Sequence, residues 1–255
     1  HIVLFNLGNE YLKINNDDGA FEAFEKSNNI SNTSQALNNI GLILIKKNNY
    51  KYALEAFKKA IITDKEFLDS YLNIQKLLLD QNKLNEALSF SKMVINKFQN
   101  NYLTQFWYAQ CLEKNNLLIE SIKYYKRTIE LNPKYKEAYN NLSLLYAKTR
   151  KTDEALKTYK KIEDLGLYSK EIAYNHATLL TKLGHKEKAK KIAEIFIKKE
   201  PKFSKFYNII ALVTDNKDKE LQNLIKAYEA MNDQSEDKIL LGFNIAKILE
   251  KDENY

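Results

Sequence analysis

A short pattern recurs along the chain at a fixed distance of 34 residues. The pair Glu86-Ala87 returns as Glu120-Ser121, as Glu154-Ala155 and as Lys188-Ala189. A fixed period of about 20–50 residues is typical of repeat proteins, in which each copy packs only on its neighbours. Counting in both directions places position 1 of the repeat at His1, Ser34, Leu68, Tyr102, Lys136, Lys170 and Ser204, with a first copy that is one residue shorter.

Other columns of the repeat indicate two helices and a tight turn in each copy. Position 11 is large and apolar, and position 20 is Ala in five of six copies. Position 8 is mostly small, as expected where two helices cross closely: Gly8, Gly41, Gln75, Ala109, Ser143, Ala177 and Ala211. Position 15 favours residues that accept a left-handed backbone after a helix: Asn15, Asn48, Asn82, Asn116, Arg150 and Gly184. We therefore predict helix A over positions 2–14, a turn over 15–17 and helix B over 18–31.

Both prolines of the chain support the predicted end of helix B. Pro133 and Pro201 each fall at position 32, where proline ends a helix because it cannot continue it.

The pattern resembles the tetratricopeptide repeat (TPR), most clearly over 137–162, "EAYNNLSLLYAKTRKTDEALKTYKKI". The resemblance covers almost the whole chain. It implies an all-α fold, a right-handed superhelix of about seven helix-turn-helix repeats with helix A on the concave face. We expect a repeat array over residues 1–214. Residues 215–255 are expected to form an irregular helix and the start of a last repeat, which begins at Ile239 and stops at Tyr255.

Composition excludes several classes of protein. The net charge is +7, but the cations are almost all Lys, with only Arg127 and Arg150 to read phosphates or bases. This disfavours nucleic acid as a partner. The sequence has no apolar run of about 18 residues, so no membrane span is predicted. A single cysteine fits a reducing compartment, so we expect a cytoplasmic protein.

The sequence shows no catalytic constellation, so we expect that this chain is not an enzyme and binds no metal or cofactor. His176 occupies position 7, where Leu is usual. We interpret it as a core imidazole with a backbone partner, the alternative being a ligand or a switch. Cys111 lies on a predicted helix A, where a buried thiol is expected rather than a nucleophile.

The concave face offers a candidate binding groove, because positions 2, 5, 6, 9, 12 and 13 point inward in TPR proteins. Position 6 reads Asn6, Asn39, Asn73, Trp107, Asn141, Asn175, Ile209 and Asn244. An Asn amide both donates and accepts, so a row of them can pair with the backbone of an extended peptide. The column is similar to the asparagine ladder in the TPR arm of O-linked N-acetylglucosamine transferase. The alternative is that Asn at position 6 is only a common feature of the repeat.

Two further features extend this groove. Position 13 carries a row of lysines, Lys13, Lys46, Lys114, Lys148, Lys182 and Lys251, broken by Asp80. The row favours an acidic partner, unless it only places cations at the ends of solvated helices. Phe106 and Trp107 form an aromatic pair at positions 5 and 6, either an exposed hot spot or packing between helices. The carboxylate clamp typical of chaperone-binding TPR proteins is absent, because position 5 carries no Lys.

The end of the chain resembles the arm of bacterial TPR-sulfotransferases. The frame loosens over 215–235, and a last copy follows with residues in that family's order: Glu236, Asp237, Lys238, Leu241, Phe243, Ala246, Lys247, Asp252 and Tyr255. Gly242 and Asn244 depart from it. The resemblance implies a sulfotransferase domain beyond Tyr255 that uses 3′-phosphoadenosine 5′-phosphosulfate, with this chain as the substrate-presenting arm. Two functions stay open: a scaffold that binds proteins or peptides, and such an arm.

Overall fold

The computed structural model describes residues 1–201, 203–213, 218–231 and 236–253. These residues form 15 α-helices and no strand, so the predicted all-α fold is confirmed. The helices are α1 (Ile2–Lys13), α2 (Asp17–Ile30), α3 (Ser34–Lys46), α4 (Tyr50–Thr63), α5 (Leu68–Asp80), α6 (Leu84–Lys97), α7 (Tyr102–Lys114), α8 (Leu118–Leu131), α9 (Lys136–Lys148), α10 (Thr152–Asp164), α11 (Lys170–Lys182), α12 (Lys186–Lys199), α13 (Lys205–Val213), α14 (Asp218–Ala230) and α15 (Glu236–Glu253).

The chain divides into two compact units, His1–Pro133 with α1 to α8 and Lys134–Tyr255 with α9 to α15. Within each unit every helix packs against the next one in the chain. Helices A of successive repeats also touch, as α5 and α7 do in the first unit and α11 and α13 in the second. The division predicted from the sequence, 1–214 against 215–255, stays a prediction because its boundary lies outside the described residues.

The turn from helix A to helix B has the same geometry in six repeats. Position 15 is left-handed each time, with φ between 56° and 78°, as predicted: Asn15, Asn48, Asn82, Asn116, Arg150 and Gly184. The N–H of position 16 donates to the carbonyl of position 11, from Asn16 to Tyr11 at 2.9 Å and from Asn49 to Leu44 at 2.8 Å. The N–H of position 15 donates to the carbonyl of position 12. This pair of bonds is a Schellman motif, which satisfies carbonyls that the helix end leaves unpaired.

The predicted helix boundaries are wrong by one residue. In the second, third and fourth repeats helix A covers positions 1–13 and helix B positions 17–30, rather than 2–14 and 18–31. The Schellman motif explains the shift, because position 14 is already the C-cap and position 16 serves as the N-cap of the next helix.

Small residues let helices A and B approach each other closely. Position 20 is fully buried in all six copies: Ala20, Ala53, Ala87, Ser121, Ala155 and Ala189. Gly41 at position 8 faces the ring of Phe57 at position 24, and a Cβ there would lie 2.5 Å from the ring. Gly8 faces Phe24 in the same way, at 2.7 Å. The predicted close crossing of the two helices is therefore confirmed.

The last helix is longer than the helix A that the sequence predicts from Ile239, since α15 begins at Glu236. Ile239, Leu240, Phe243 and Leu249 are apolar residues exposed on this helix. Tyr255 lies outside the described residues, so the predicted end of the last repeat at this residue stays a prediction.

Gly184 tests the left-handed turn without changing any packing. A Cβ at this residue meets no atom within 4 Å, so Gly184→Ala changes only the backbone energy at φ 78°. We expect Gly184→Ala to lower the free energy of unfolding by about 1 kcal/mol. Gly184→Asn is the matched control and should cost less, because Asn tolerates the left-handed region. Urea unfolding measures both, and equal stabilities of the two variants would contradict this account of the turn.

Candidate functional site

Repeat positions 2, 6, 9 and 13 form the solvent face of the A helices α1, α3, α5, α7, α9 and α11, which we call the A face. On the later helices position 6 is buried, as Ile209 on α13 and Asn244 on α15. A turn of about 100° per residue brings these four positions to one side. On α3 the buried residues occupy the opposite side. The A face of α3 consists of Gln35, Asn39, Leu42 and Lys46, and that of α9 of Glu137, Asn141, Leu144 and Lys148, all exposed or half-buried.

Positions 5 and 12 were predicted to point into the groove, and for position 5 this is mostly wrong. Phe106 is only 4% exposed. Its ring lies 5.8 Å from the ring of Tyr125 on α8, so it belongs to the contact between α7 and α8. Position 5 turns toward the neighbouring helices because it lies about 100° from position 6 on the helix.

Trp107 remains on the A face and is half-buried. Its ring contacts Phe106 edge-on, with 5.8 Å between centroids. Of the predicted aromatic pair, Phe106 is therefore a core residue, and Trp107 is a residue of the A face whose ring packs on that of Phe106.

The position-6 amides bond to position 5 of the preceding repeat. Nδ2 of Asn73 donates to Oδ1 of Asn38 at 2.8 Å, and Nδ2 of Asn175 donates to Oδ1 of Asn140 at 2.9 Å. Asn244 pairs with Asn208 at 3.2 Å in the same way. The amides therefore tie one repeat to the next, a contact that the sequence analysis missed. Its signal was the presence of Asn at position 5 of one repeat and at position 6 of the next.

These bonds use part of the capacity of each amide. An Asn side chain has two N–H donors and one acceptor oxygen, and the bond to position 5 uses one donor. Asn39 and Asn6 also lie on the A face, Asn39 half-buried and Asn6 exposed. Whether the position-6 residues, including Asn141, contact a ligand stays a prediction.

The position-13 lysines Lys114, Lys148 and Lys182 are exposed in the last turns of α7, α9 and α11. In the first two repeats the lysines form ion pairs on the surface, Lys13 with Glu10 at 2.6 Å and Lys46 with Asp17 at 2.8 Å. Cations in the last turn favour the helix macrodipole, so this arrangement fits both interpretations of the row. The side chain of Lys251 lies outside the described residues.

Acidic residues lie at the other end of the A face, a feature that the sequence analysis missed. Position 2 carries Asp69, Glu137 and Glu171 in the first turns of α5, α9 and α11. Hydrogen bonds from the backbone N–H of Glu171 and from the hydroxyl of Ser169 hold the pKa of the Glu171 carboxyl below its usual range. Each of these A helices therefore begins with a negative charge, while α9 and α11 end with a positive one.

His176 is a core residue, but its partner is not the backbone. Its ring stacks on Tyr159 with centroids 4.6 Å apart, and Nδ1 lies 2.7 Å from the hydroxyl of Tyr168. Burial lowers the pKa of His176 to about 4, so the imidazole is neutral near pH 7. The predicted backbone partner is therefore wrong.

Cys111 is buried, as expected, and its Sγ lies 2.9 Å from Oγ of Ser91. Burial raises the pKa of the thiol to about 11, so the thiolate that a nucleophile requires is not formed near pH 7. Among the described residues, no group of three His, Cys, Asp or Glu side chains could hold a metal ion. No described helix is long and apolar enough to span a membrane.

Comparison with known proteins identifies the repeat. Family models of the tetratricopeptide repeat match residues 34–65, 104–135 and 124–157. No curated protein matches the chain. The chain therefore contains TPR repeats.

Solved structures show the same fold. A tetratricopeptide repeat protein from Parabacteroides merdae ATCC 43184 is 18% identical, with a TM-score of 0.64 over 86% of this chain and 88% of that chain. Pseudomonas aeruginosa pilF is 15% identical, with a TM-score of 0.65 over 80% and 93%. MamA from Desulfovibrio magneticus RS-1 is 14% identical, with a TM-score of 0.56 over 64% and 93%. At these identities the likeness shows the fold, that of TPR solenoids.

The buried imidazole makes stability depend on pH. The pKa of His176 is about 4 in the folded chain and about 6.5 in the unfolded chain, so the unfolded state binds more protons between these values. The neutral imidazole of His176 therefore makes its full contribution to stability above about pH 6.5. This contribution is lost as the pH falls toward 4, which lowers the free energy of unfolding by about 1–3 kcal/mol.

His176→Leu should flatten this part of the pH profile, since position 7 is normally apolar. His185→Leu, at an exposed histidine of the same unit, is the comparison for the loss of a histidine side chain. Urea unfolding across this range measures the slopes, and an unaltered slope in His176→Leu would contradict the assignment.

Proposed function

We propose that the chain is a protein-interaction scaffold that binds an extended polypeptide segment on its A faces. The observation that carries the proposal is the row of position-6 amides, which neighbouring A helices present side by side within each unit. Asn39 and Asn73 stand on consecutive A helices of the first unit, and Asn141 and Asn175 on those of the second. An Asn amide has two N–H donors and an acceptor oxygen, and the bond to position 5 uses only one donor of Asn73 and of Asn175.

The spacing of the helices suits an extended chain. Packed helices lie about 8–10 Å apart, and an extended peptide advances about 3.3 Å per residue. One amide therefore meets about every third residue of a peptide that crosses the A helices. Such contacts read the backbone rather than particular side chains, so they support binding of several sequences with the same extended shape.

Charge and shape on the A face add preferences to this backbone contact. Trp107 offers a half-buried aromatic surface, of the kind enriched at binding hot spots. Exposed Lys114 in the first unit, and exposed Lys148 and Lys182 in the second, favour carboxylates at the C-terminal ends of their A helices. An acidic segment at this end of an A face should bind weakly and lose affinity as salt is added. A cytoplasmic location stays an expectation from composition.

The experiment selects peptides from a random phage-displayed library on the immobilised chain and then measures the affinity of a selected peptide by calorimetry. Asn39→Ala should weaken a peptide bound to the first unit and Asn175→Ala one bound to the second, each by roughly 1–3 kcal/mol, the value of one or two lost hydrogen bonds. Asn96→Ala, an exposed asparagine on α6, is the matched control and should have no effect. Circular dichroism confirms that each variant is folded.

Two results would overturn the proposal. One is a selection that yields no peptide above background. The other is a set of selected peptides whose affinities are the same for Asn39→Ala, Asn175→Ala and Asn96→Ala.

The second candidate function is a substrate-presenting arm of a bacterial sulfotransferase. Its support is the order of residues in the last copy, where Phe243 is 66% exposed on α15 and Lys247 is exposed beside it. The coding sequence after Tyr255 tests this candidate. It should encode a strand, a Gly-containing turn and a helix that together hold the nucleotide sulfate. Further repeats or a stop codon would eliminate the arm and leave the scaffold proposal unaffected.

A further inference from the structure

A cleft of about 450 Å³ opens between α2 and α4, on the side of α3 opposite its A face. We call it the outer cleft. Leu37, Ile40 and Leu44 of α3 line it, and these are repeat positions 4, 7 and 11. A turn of about 100° per residue places them about 180° from the positions of the A face. The outer cleft is therefore a different surface from the one proposed above for extended peptides.

The floor of the outer cleft is apolar and its rim is polar. Leu37, Ile40 and Ala56 are buried in the floor. Tyr52, which is 55% exposed, stands at the rim. The remaining polar lining is Glu25, Asn28, Asn29, Asn49, Glu55 and Lys59. Its volume lies in the range of about 300–1,000 Å³ that is typical of ligand pockets, and an apolar floor with a few polar groups is their usual composition.

The carboxylates of the outer cleft depart from the pattern of the other repeats. Position 25 is Glu25 here but lysine in the next four copies: Lys58, Lys92, Lys126 and Lys160. Position 22 is Glu55 in the second copy, whereas the last three full copies have Lys123, Lys157 and Lys191. In a chain with a net charge of +7, this surface is locally acidic where the equivalent surfaces are basic.

A polar residue also replaces an apolar one at the end of the outer cleft. Position 28 is Asn28 in the first copy, but isoleucine in four later copies: Ile61, Ile95, Ile129 and Ile197. The amide of Asn28 accepts a hydrogen bond from the N–H of Thr33. The substitution places a polar group beside the apolar floor, so the lining can contact both apolar and hydrogen-bonding groups of a ligand.

We propose that the outer cleft binds a basic, amphipathic peptide segment of a partner protein. An apolar side chain of the segment packs on Leu37, Ile40 and Ala56. A neighbouring lysine or arginine lays its aliphatic stem along Tyr52 and pairs its charge with Glu25 or Glu55. Charge complementarity identifies this occupant as basic, because the lining contains two carboxylates, Glu25 and Glu55, and one ammonium group, that of Lys59.

The experiment measures binding of three labelled peptides of equal length by fluorescence anisotropy. One alternates Leu with Lys, one alternates Leu with Glu, and one alternates Ser with Lys. We expect the Leu/Lys peptide to bind the intact chain at least about tenfold more tightly than either of the other two, because only it matches both the floor and the charge.

Charge reversal in the outer cleft is the decisive variant. Glu25→Lys combined with Glu55→Lys gives these positions the residue found in other repeats, and should weaken binding of the Leu/Lys peptide at least about tenfold. Glu120→Lys together with Glu86→Lys changes two exposed glutamates on α8 and α6 that do not line the cleft. This matched control has the same net charge as the cleft variant. Its affinity for the Leu/Lys peptide should fall less, because only the nonspecific electrostatic attraction is reduced. Circular dichroism checks that both double variants fold.

Three results would overturn the proposal: equal losses in the two double variants, equal binding of the Leu/Lys and Leu/Glu peptides, or a loss caused by Asn39→Ala but not by the cleft variant. The last result would place the peptide on the A face. It would contradict peptide binding in the outer cleft but not the proposed scaffold function, so the two proposals can fail independently.

Discussion

The contact between a small residue on helix A and a large ring on helix B is the constraint on which the repeat depends. The ring of Phe24 packs against Gly8, and that of Phe57 packs against Gly41, so closely that there is no room for a Cβ on either glycine. Because the glycines bring the two helix backbones close together, Ala20 and Ala53 are fully buried beside them. The fourth and fifth copies keep the same relation with other buried pairs, Ala109 opposite Tyr125 and Ser143 opposite Tyr159, whereas the sixth has two small residues, Ala177 and Ala193.

The third copy reverses this relation. Gln75 occupies the position of the small residue and Ser91 that of the ring, and both are fully buried. Among the described residues the amide of Gln75 finds no hydrogen-bond partner, and an unsatisfied buried polar group costs about 1–3 kcal/mol. A large residue therefore still meets a small one at this copy, although the exchange leaves a polar group unsatisfied.

Much of the fold could be predicted from the sequence, because each position of the repeat is seen in several copies and its preferred residue type can be compared among them. The left-handed residue was predicted at Asn15 and found in six copies, since local backbone energy decides it. The sequence left open whether Phe106 is exposed or packed between helices, and it did not predict the bond from Asn73 to Asn38. Both depend on how the neighbouring helix lies, and a single column does not contain that information. The outer cleft was also missed, because it arises between two copies that differ from the others.

The packing of helix A on helix B also determines what the chain can offer to a partner. It buries one side of the A helices from α1 to α11 and leaves their positions 2, 6, 9 and 13 exposed or half-buried. A double-mutant cycle on Gly41→Ala and Phe57→Leu, measured by urea unfolding, tests this packing most directly. Alone, Gly41→Ala should lower the free energy of unfolding by about 1–2 kcal/mol, because overpacking outweighs a helix-propensity gain of about 1 kcal/mol. With Phe57→Leu the added methyl group should cost much less, giving a coupling energy of about 0.5–3 kcal/mol. Effects that add within about 0.5 kcal/mol, or a Gly41→Ala variant more stable than the original chain, would contradict the account.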